Sequence, residues 1–152
     1  MFSLMSDFAI QPDEGWLGLG ISPVTGTMAF SQITLCRLLE DGTPTIFETE
    51  IYTELVDPNH KPKASPSQNI FDASVFSSVE GTRCEWSRPL ASADSSQYSI
   101  SSGENTLIFA RSELPGLQIH FQGDSGTAVY DLFTSEKGGT LLVAQTLTKF
   151  RV

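Results

Sequence analysis

An imidazole and a thioether are the side chains here best suited to hold a metal together. His120 lies in Leu117-Gln118-Ile119-His120-Phe121. Period-two alternation puts Gln118 and His120 on one face of such a strand and Ile119 and Phe121 on the other. Met28 follows the turn Ser22-Pro23-Val24-Thr25-Gly26 and opens a long strand pattern, whereas the other methionines, Met1 and Met5, lie at the amino end. A neutral imidazole and a thioether form a known axial pair for haem iron; the thioether favours the reduced ion and raises the potential, which suits electron transfer. With both axial positions filled, oxygen chemistry at the iron is disfavoured. Each residue also has a plainer reading. Isolated strand histidines are mostly structural or surface groups, and most methionines pack cores.

Other chemistry is poorly supported. Gly15-Trp16-Leu17-Gly18-Leu19-Gly20 has the glycines of a nucleotide loop, but they sit within a strand pattern, and Ser22-Pro23 follows where a phosphate-binding helix should begin. Gly123-Asp124-Ser125-Gly126 resembles the nucleophile loop of trypsin-like proteases. A triad needs a histidine base near the serine. The one alternative to His120 is His60, in the Pro-rich stretch Asp57-Pro58-Asn59-His60-Lys61, so a hairpin turn at 123–126 is expected instead. Two distant histidines and scattered carboxylates make no metal-hydrolase ligand set. The formal net charge is −9 and the densest basic spot is Lys61 with Lys63. Nucleic acid is therefore disfavoured as a partner, because phosphate recognition needs clustered Lys and Arg. No run approaches the roughly 18 apolar residues of a membrane helix, so direct membrane insertion is not expected. Nor does Met1-Phe2-Ser3-Leu4-Met5 read as a secretory signal.

These candidates must be positioned by strands. The 152 residues suit one domain, and ten Phe and two Trp supply a core. Apolar alternation with period two predicts strands over 1–10, 16–21, 27–39, 45–55, 69–79, 82–89, 106–111, 117–121, 127–133 and 140–150. Asp41-Gly42 is a strong hairpin turn. Prolines 58, 62 and 66 make 56–68 a loop and exclude a central strand there. In the strand beginning at Thr45, residues Thr45, Phe47, Thr49 and Ile51 share one face, and Glu48 and Glu50 the other. About nine or ten strands, without helical periodicity, predict an all-β antiparallel sandwich, immunoglobulin-like, in a single domain over 1–152. Cys36 and Cys84 both fall inside strands. A disulfide and two separate buried thiols are equally open readings.

An ordered set of pieces resembles the DOMON domain family. Gly15 to Ser22, then Gly26-Thr27-Met28, then a strand ending at Asp41-Gly42 is similar to the family's opening. Trp86-Ser87-Arg88-Pro89-Leu90 with Asp94, Thr106 to Ala110, and Ile119-His120 are similar to its later part. The resemblance covers most of Phe2 to Leu132. It implies haem b held by Met28 and His120, in a pocket lined by Trp16, Phe30 and Phe121. The domain would be an electron-transfer module, without catalysis of its own, for a partner redox enzyme or membrane cytochrome b561. It also implies an extracellular or membrane-exposed setting. Relatives that use no haem leave a carbohydrate- or protein-binding domain as the alternative, with Trp16 and Tyr52 as candidate stacking surfaces. This chain departs from the family in a shortened beginning, the missing signal peptide, and the lack of a second His or basic cluster after His120.

Overall fold

The computed structural model describes residues 2–22, 31–50, 63–65, 68–91, 98–100, 102–113, 125–131, 140–143 and 148–151. Strands are the elements found in these residues, as the alternation predicts. In chain order they are β1 (Phe2–Ser6), β2 (Trp16–Ser22), β3 (Gln32–Leu38), β4 (Pro44–Glu50), β5 (Lys63–Ala64) and β6 (Phe71–Ser78). There follow β7 (Gly81–Ser87), β8 (Glu104–Ser112), β9 (Ser125–Asp131), β10 (Thr140–Val143) and β11 (Thr148–Arg151). A five-stranded sheet has the order β10-β11-β1-β7-β6, and a six-stranded sheet the order β5-β4-β3-β2-β8-β9. All the described pairings are antiparallel.

The core lies between the sheets. Phe2, Leu4, Cys84 and Trp86 come from β1 and β7, and Leu17, Leu19, Cys36 and Leu107 from β2, β3 and β8. Phe2 stacks on Trp86 with ring centroids 5.7 Å apart. Cys36 and Cys84 form a disulfide across this core, so the two readings of the cysteines resolve to the bonded one. The bond ties β3, an interior strand of the six-stranded sheet, to β7, an interior strand of the five-stranded one.

Several expectations change in detail. The pattern over 140–150 is two strands, β10 and β11, which pair with each other from Thr140↔Arg151 to Val143↔Thr148. The Pro-rich stretch contains the two-residue edge strand β5, which pairs with Thr49 and Glu50 of β4. Ser125 and Gly126 are not a turn; they open β9 opposite Ala110 and Phe109. The apolar alternation predicted over 69–79 does not give a buried face: Phe71 and Phe76 of β6 are exposed, as is Val79 just beyond it, and Val75 alone of the larger apolar residues of β6 packs on the core. The reason is position. β6 is an edge strand, and an irregularity between Phe71 and Ser74, with Asp72 at φ 51°, shifts its register. Such bulges blunt sheet edges against unwanted pairing.

The Asp41-Gly42 hairpin is found as predicted. Gly42 adopts φ 80° and its N–H donates to the Leu39 carbonyl at 2.8 Å. The Thr43 N–H donates to the Asp41 carboxylate at 2.8 Å. Hydrogen bonds from Thr43 hold that carboxyl below its ordinary range. The turn's contribution is therefore present above the usual carboxylate range and fades as acid protonates Asp41.

A second glycine is needed for close approach. A Cβ on Gly126 would stand 2.2 Å from Cζ of Phe109, whose ring covers the glycine and packs against the core. Gly126→Ala is expected to displace the ring and to destabilise the domain by about 1–3 kcal/mol in urea titrations. Combining it with Phe109→Leu should cost less than the two single changes added, because the clash is shared. Strict additivity would contradict this packing.

Candidate functional site

The six-stranded sheet is apolar on its outer face as well. In β2, Leu17, Leu19 and Ile21 point into the sandwich, while Trp16, Gly18 and Gly20 alternate to the other side. There they meet Leu35 and Ile33 of β3 and Ile108 and Ala110 of β8, as the registers Gly18↔Leu35, Gly20↔Ile33, Gly18↔Ala110 and Gly20↔Ile108 require. Trp16, Ile33, Leu35 and Ile108 form a second hydrophobic cluster, with Phe47 and Ala110 against it. Its four central members are 2–6% exposed, yet no residue of the five-stranded sheet belongs to it. Arg37 lies at the margin, its guanidinium 5.4 Å from the Phe47 ring centroid.

The two glycines keep this face low. A Cβ on Gly18 would meet Leu35 at 3.1 Å and Trp16 at 3.3 Å, and one on Gly20 would meet Ile108 at 2.9 Å. Neighbouring side chains therefore lean over the centre of β2. Trp16 was expected in a haem pocket; the structure puts it on this covered platform, 4% exposed. As a candidate stacking surface for carbohydrate, Trp16 is buried rather than exposed. Met28, Phe30, Tyr52, His120 and Phe121 lie outside the described residues.

The roots of the two ligand-bearing segments are described. The stretch with Met28 runs from Ser22 to Ser31, and the stretch with His120 from Glu113 to Ser125. Ser22 pairs with Thr106 and Trp16 with Ser112, so the segments leave from opposite ends of β2 and β8. At about 3.3 Å per residue these ends are about 20 Å apart. Met28 can reach about 13 Å from Gln32, and His120 about 17 Å from Ser125, by chain length alone. Together these reaches exceed the separation, so the chain is long enough to bring both residues over one face.

Two buried arginines close the ends of the sandwich interior. At the end near Ser22, Arg88 faces Glu48 with Nη1 3.5 Å from Oε1, both side chains almost fully buried. Arg88 also donates to the Tyr98 carbonyl at 2.8 Å, and Glu48 Oε2 accepts the Asn69 N–H at 2.8 Å. Burial lowers the pKa of Arg88 and the Glu48 charge partly restores it. The Gln68 side-chain amide acts as a further edge partner for β4: Oε1 accepts the Glu48 N–H at 2.7 Å, and Nε2 donates to the Glu48 carbonyl at 3.1 Å. At the opposite end Arg111 pairs with Asp7, donates to Ser6 Oγ at 3.2 Å and covers the Phe8 ring.

None of this polar network was read from the sequence. Glu48 was placed on a face opposite Phe47, as it is, but that face points inward and Phe47 points outward. The available cue was Arg88 beside Pro89, a cation directly after a strand with no adjacent carboxylate. Among the described residues no group of three or more His, Cys, Asp or Glu is arranged to hold a metal ion. No helix among them is long and apolar enough to cross a membrane. Ser125 is exposed at the start of β9. A shallow groove lined by Met5, Phe76, Glu80 and Arg83 lies on the far side of the five-stranded sheet and gathers none of the candidate residues.

Two antiparallel sheets facing across a disulfide-pinned core, one of them buried on both faces, define an all-β sandwich domain. The chain belongs to the DOMON domain family: the family model matches residues 4–112, well over half of the length. The matched region runs from β1 to the last residue of β8; it contains Met28 and ends before His120. No curated protein matches the chain.

Proposed function

We propose that this DOMON domain is a haem b-binding electron-transfer module in which Met28 and His120 supply the axial ligands. The observation carrying this reading is the covered apolar platform of Trp16, Ile33, Leu35 and Ile108 on the outer face of the six-stranded sheet. An apolar, low face of this kind suits the plane of a porphyrin. The segments bearing Met28 and His120 are rooted at its two ends. Bound haem would supply one-electron chemistry at a potential raised by the thioether. The protein's part is to exclude water with the apolar platform and to offer one soft and one borderline ligand. The Cys36–Cys84 disulfide supports an oxidising, extracellular or membrane-exposed setting. The partner would be a redox enzyme or a membrane cytochrome b561, with any catalysis in that partner.

One observation favours the alternative, a haem-free domain that binds protein or carbohydrate. Ile108, Ile33 and Leu35 already fill the space above Gly18 and Gly20, so the platform seals itself at its centre.

Absorption spectroscopy of the haem-reconstituted domain separates the readings. The expected result is a six-coordinate, low-spin spectrum, lost in both Met28→Ala and His120→Ala while the fold is retained. A domain that takes up no haem, or a spectrum indifferent to both changes, rejects the proposal and leaves the haem-free reading.

A further inference from the structure

Strand β9 is a sheet edge that its sequence does not guard. Edges carry free backbone donors and acceptors, and proteins usually blunt them with short strands, prolines, charges or bulges. The other described edges follow that rule. β5 has two residues, carries Lys63 and stands between Pro62 and Pro66. β6 has its irregularity beside Asp72. β10 has four residues. β9 instead runs for seven residues, Ser125–Asp131, in unbroken register with β8. All but the last of them are uncharged, and none is proline. Among the described residues β8 is its single neighbour in the sheet. Backbone groups at alternate residues of β9 therefore point away from the sheet. Ser125, Thr127 and Val129 lie on the outer face, opposite Ala110, Ile108 and Thr106, and all three are exposed, Val129 to 48%.

We propose that β9 pairs antiparallel with β9 of a second copy of this chain, about a two-fold axis at Ala128. In that register the strand is complementary to itself. Ala128 is its middle residue, so every residue of β9 gains a partner. Thr127 falls opposite Val129 of the second copy, once on each side of the axis, and cross-strand pairs of β-branched residues stabilise a sheet. Asp131, the one charged residue, falls opposite Ser125 of the second copy, so no like charges stand directly opposite each other. Charge also selects the place. A chain of net charge −9 repels its own copies over most of its surface, and the repulsion is least along an uncharged edge. Residues opposite each other in a sheet share a face, so the axis runs through the sheet and keeps its two faces distinct. The platforms of Trp16, Ile33, Leu35 and Ile108 then lie on the same side of one continuous sheet. Each copy uses its β9 edge once, so the contact is isologous and closes at a dimer. The inference is independent of whether haem is bound.

Sedimentation equilibrium of the folded, oxidised chain tests it. The expected result is a reversible monomer–dimer equilibrium at concentrations up to about 1 mM. Thr127→Lys combined with Val129→Lys sets introduced lysines directly opposite each other across the axis and should weaken the dimer by about tenfold or more. Thr127→Lys combined with Val129→Glu sets opposite charges at the same places and should bring the dimer back to within about threefold of wild type. That reversal is specific to this register. Both positions are exposed, and circular dichroism checks that each variant folds. Amide exchange in the wild-type protein decides the matter if a variant does not: alternate amides of β9 should exchange more slowly as the concentration rises. A chain that stays monomeric over the range, whether its edge is open or takes the strand of a different protein, overturns the proposal. So do β9 amides indifferent to concentration, and so does a dimer equally stable in all three forms, which is built through another surface.

Discussion

Removing the disulfide, by Cys36→Ala with Cys84→Ala, should lower the free energy of unfolding by about 4 kcal/mol. The bond joins β3 to β7 across a sequence separation of 48 residues. Closing a loop of that length restricts the unfolded chain by about this amount in the loop-entropy description. Both residues are fully buried in the main core, so the alanine variant also loses some packing. Wild-type protein under reducing conditions keeps the sulfur atoms and isolates the crosslink itself. Urea titrations of the oxidised, reduced and double-alanine forms measure the two parts. A loss below about 1 kcal/mol on reduction would mean that the sheets hold their register without the bond.

The second large effect concerns Glu48 and Arg88. Glu48→Leu strands the Arg88 charge in the interior, and Arg88→Met strands the carboxylate. Each single change is expected to cost about 3–5 kcal/mol, the usual penalty for breaking a buried pair from one side. The double change Glu48→Leu with Arg88→Met should cost far less than the sum, since no buried charge is left without its counterion. The asymmetry arises because the pair's attraction mostly offsets its own desolvation. A double-mutant cycle in urea gives the coupling. Additive losses would show that the two charges are solvated separately and do not depend on each other.

Sheet architecture was legible because strands alternate and turns carry their own chemistry. Asp41-Gly42 marked its hairpin, and the alternation of 82–89 and 106–111 marked β7 and β8. What alternation cannot say is which face is the interior when both faces are covered. In β4 it separated Phe47 from Glu48 correctly but could not reveal that the carboxylate points in. The inward choice depends on Arg88, forty residues away and from the other half of the sandwich. The same limit hid the platform at Trp16: Ile33, Leu35 and Ile108 could not be assigned to its face until the two sheets were known. β6 misled for the opposite reason, since an apolar alternation implied burial that its edge position denies. The break between β10 and β11 carries no Gly or Pro in Ala144-Gln145-Thr146-Leu147, so composition gave no turn to find. The cysteines were undecided because pairing depends on strands far apart in sequence lying opposite one another.

The placement of β1 bears on how the domain is made. This first strand lies between β7 and β11, with Ser3 opposite both Glu85 and Arg151. During synthesis from the amino end it must wait for a neighbour that emerges almost 150 residues later. In the six-stranded half β2 to β5 pair consecutively and β8 joins β2 before β10 and β11 are made, but the five-stranded half stays open on the ribosome until β11 arrives. Topologies dominated by such distant pairings fold slowly and leave apolar strand edges exposed meanwhile. Chains cut short after β9 should therefore leave the exit tunnel with one side of β1 bare, prone to join the equivalent strand of another nascent chain.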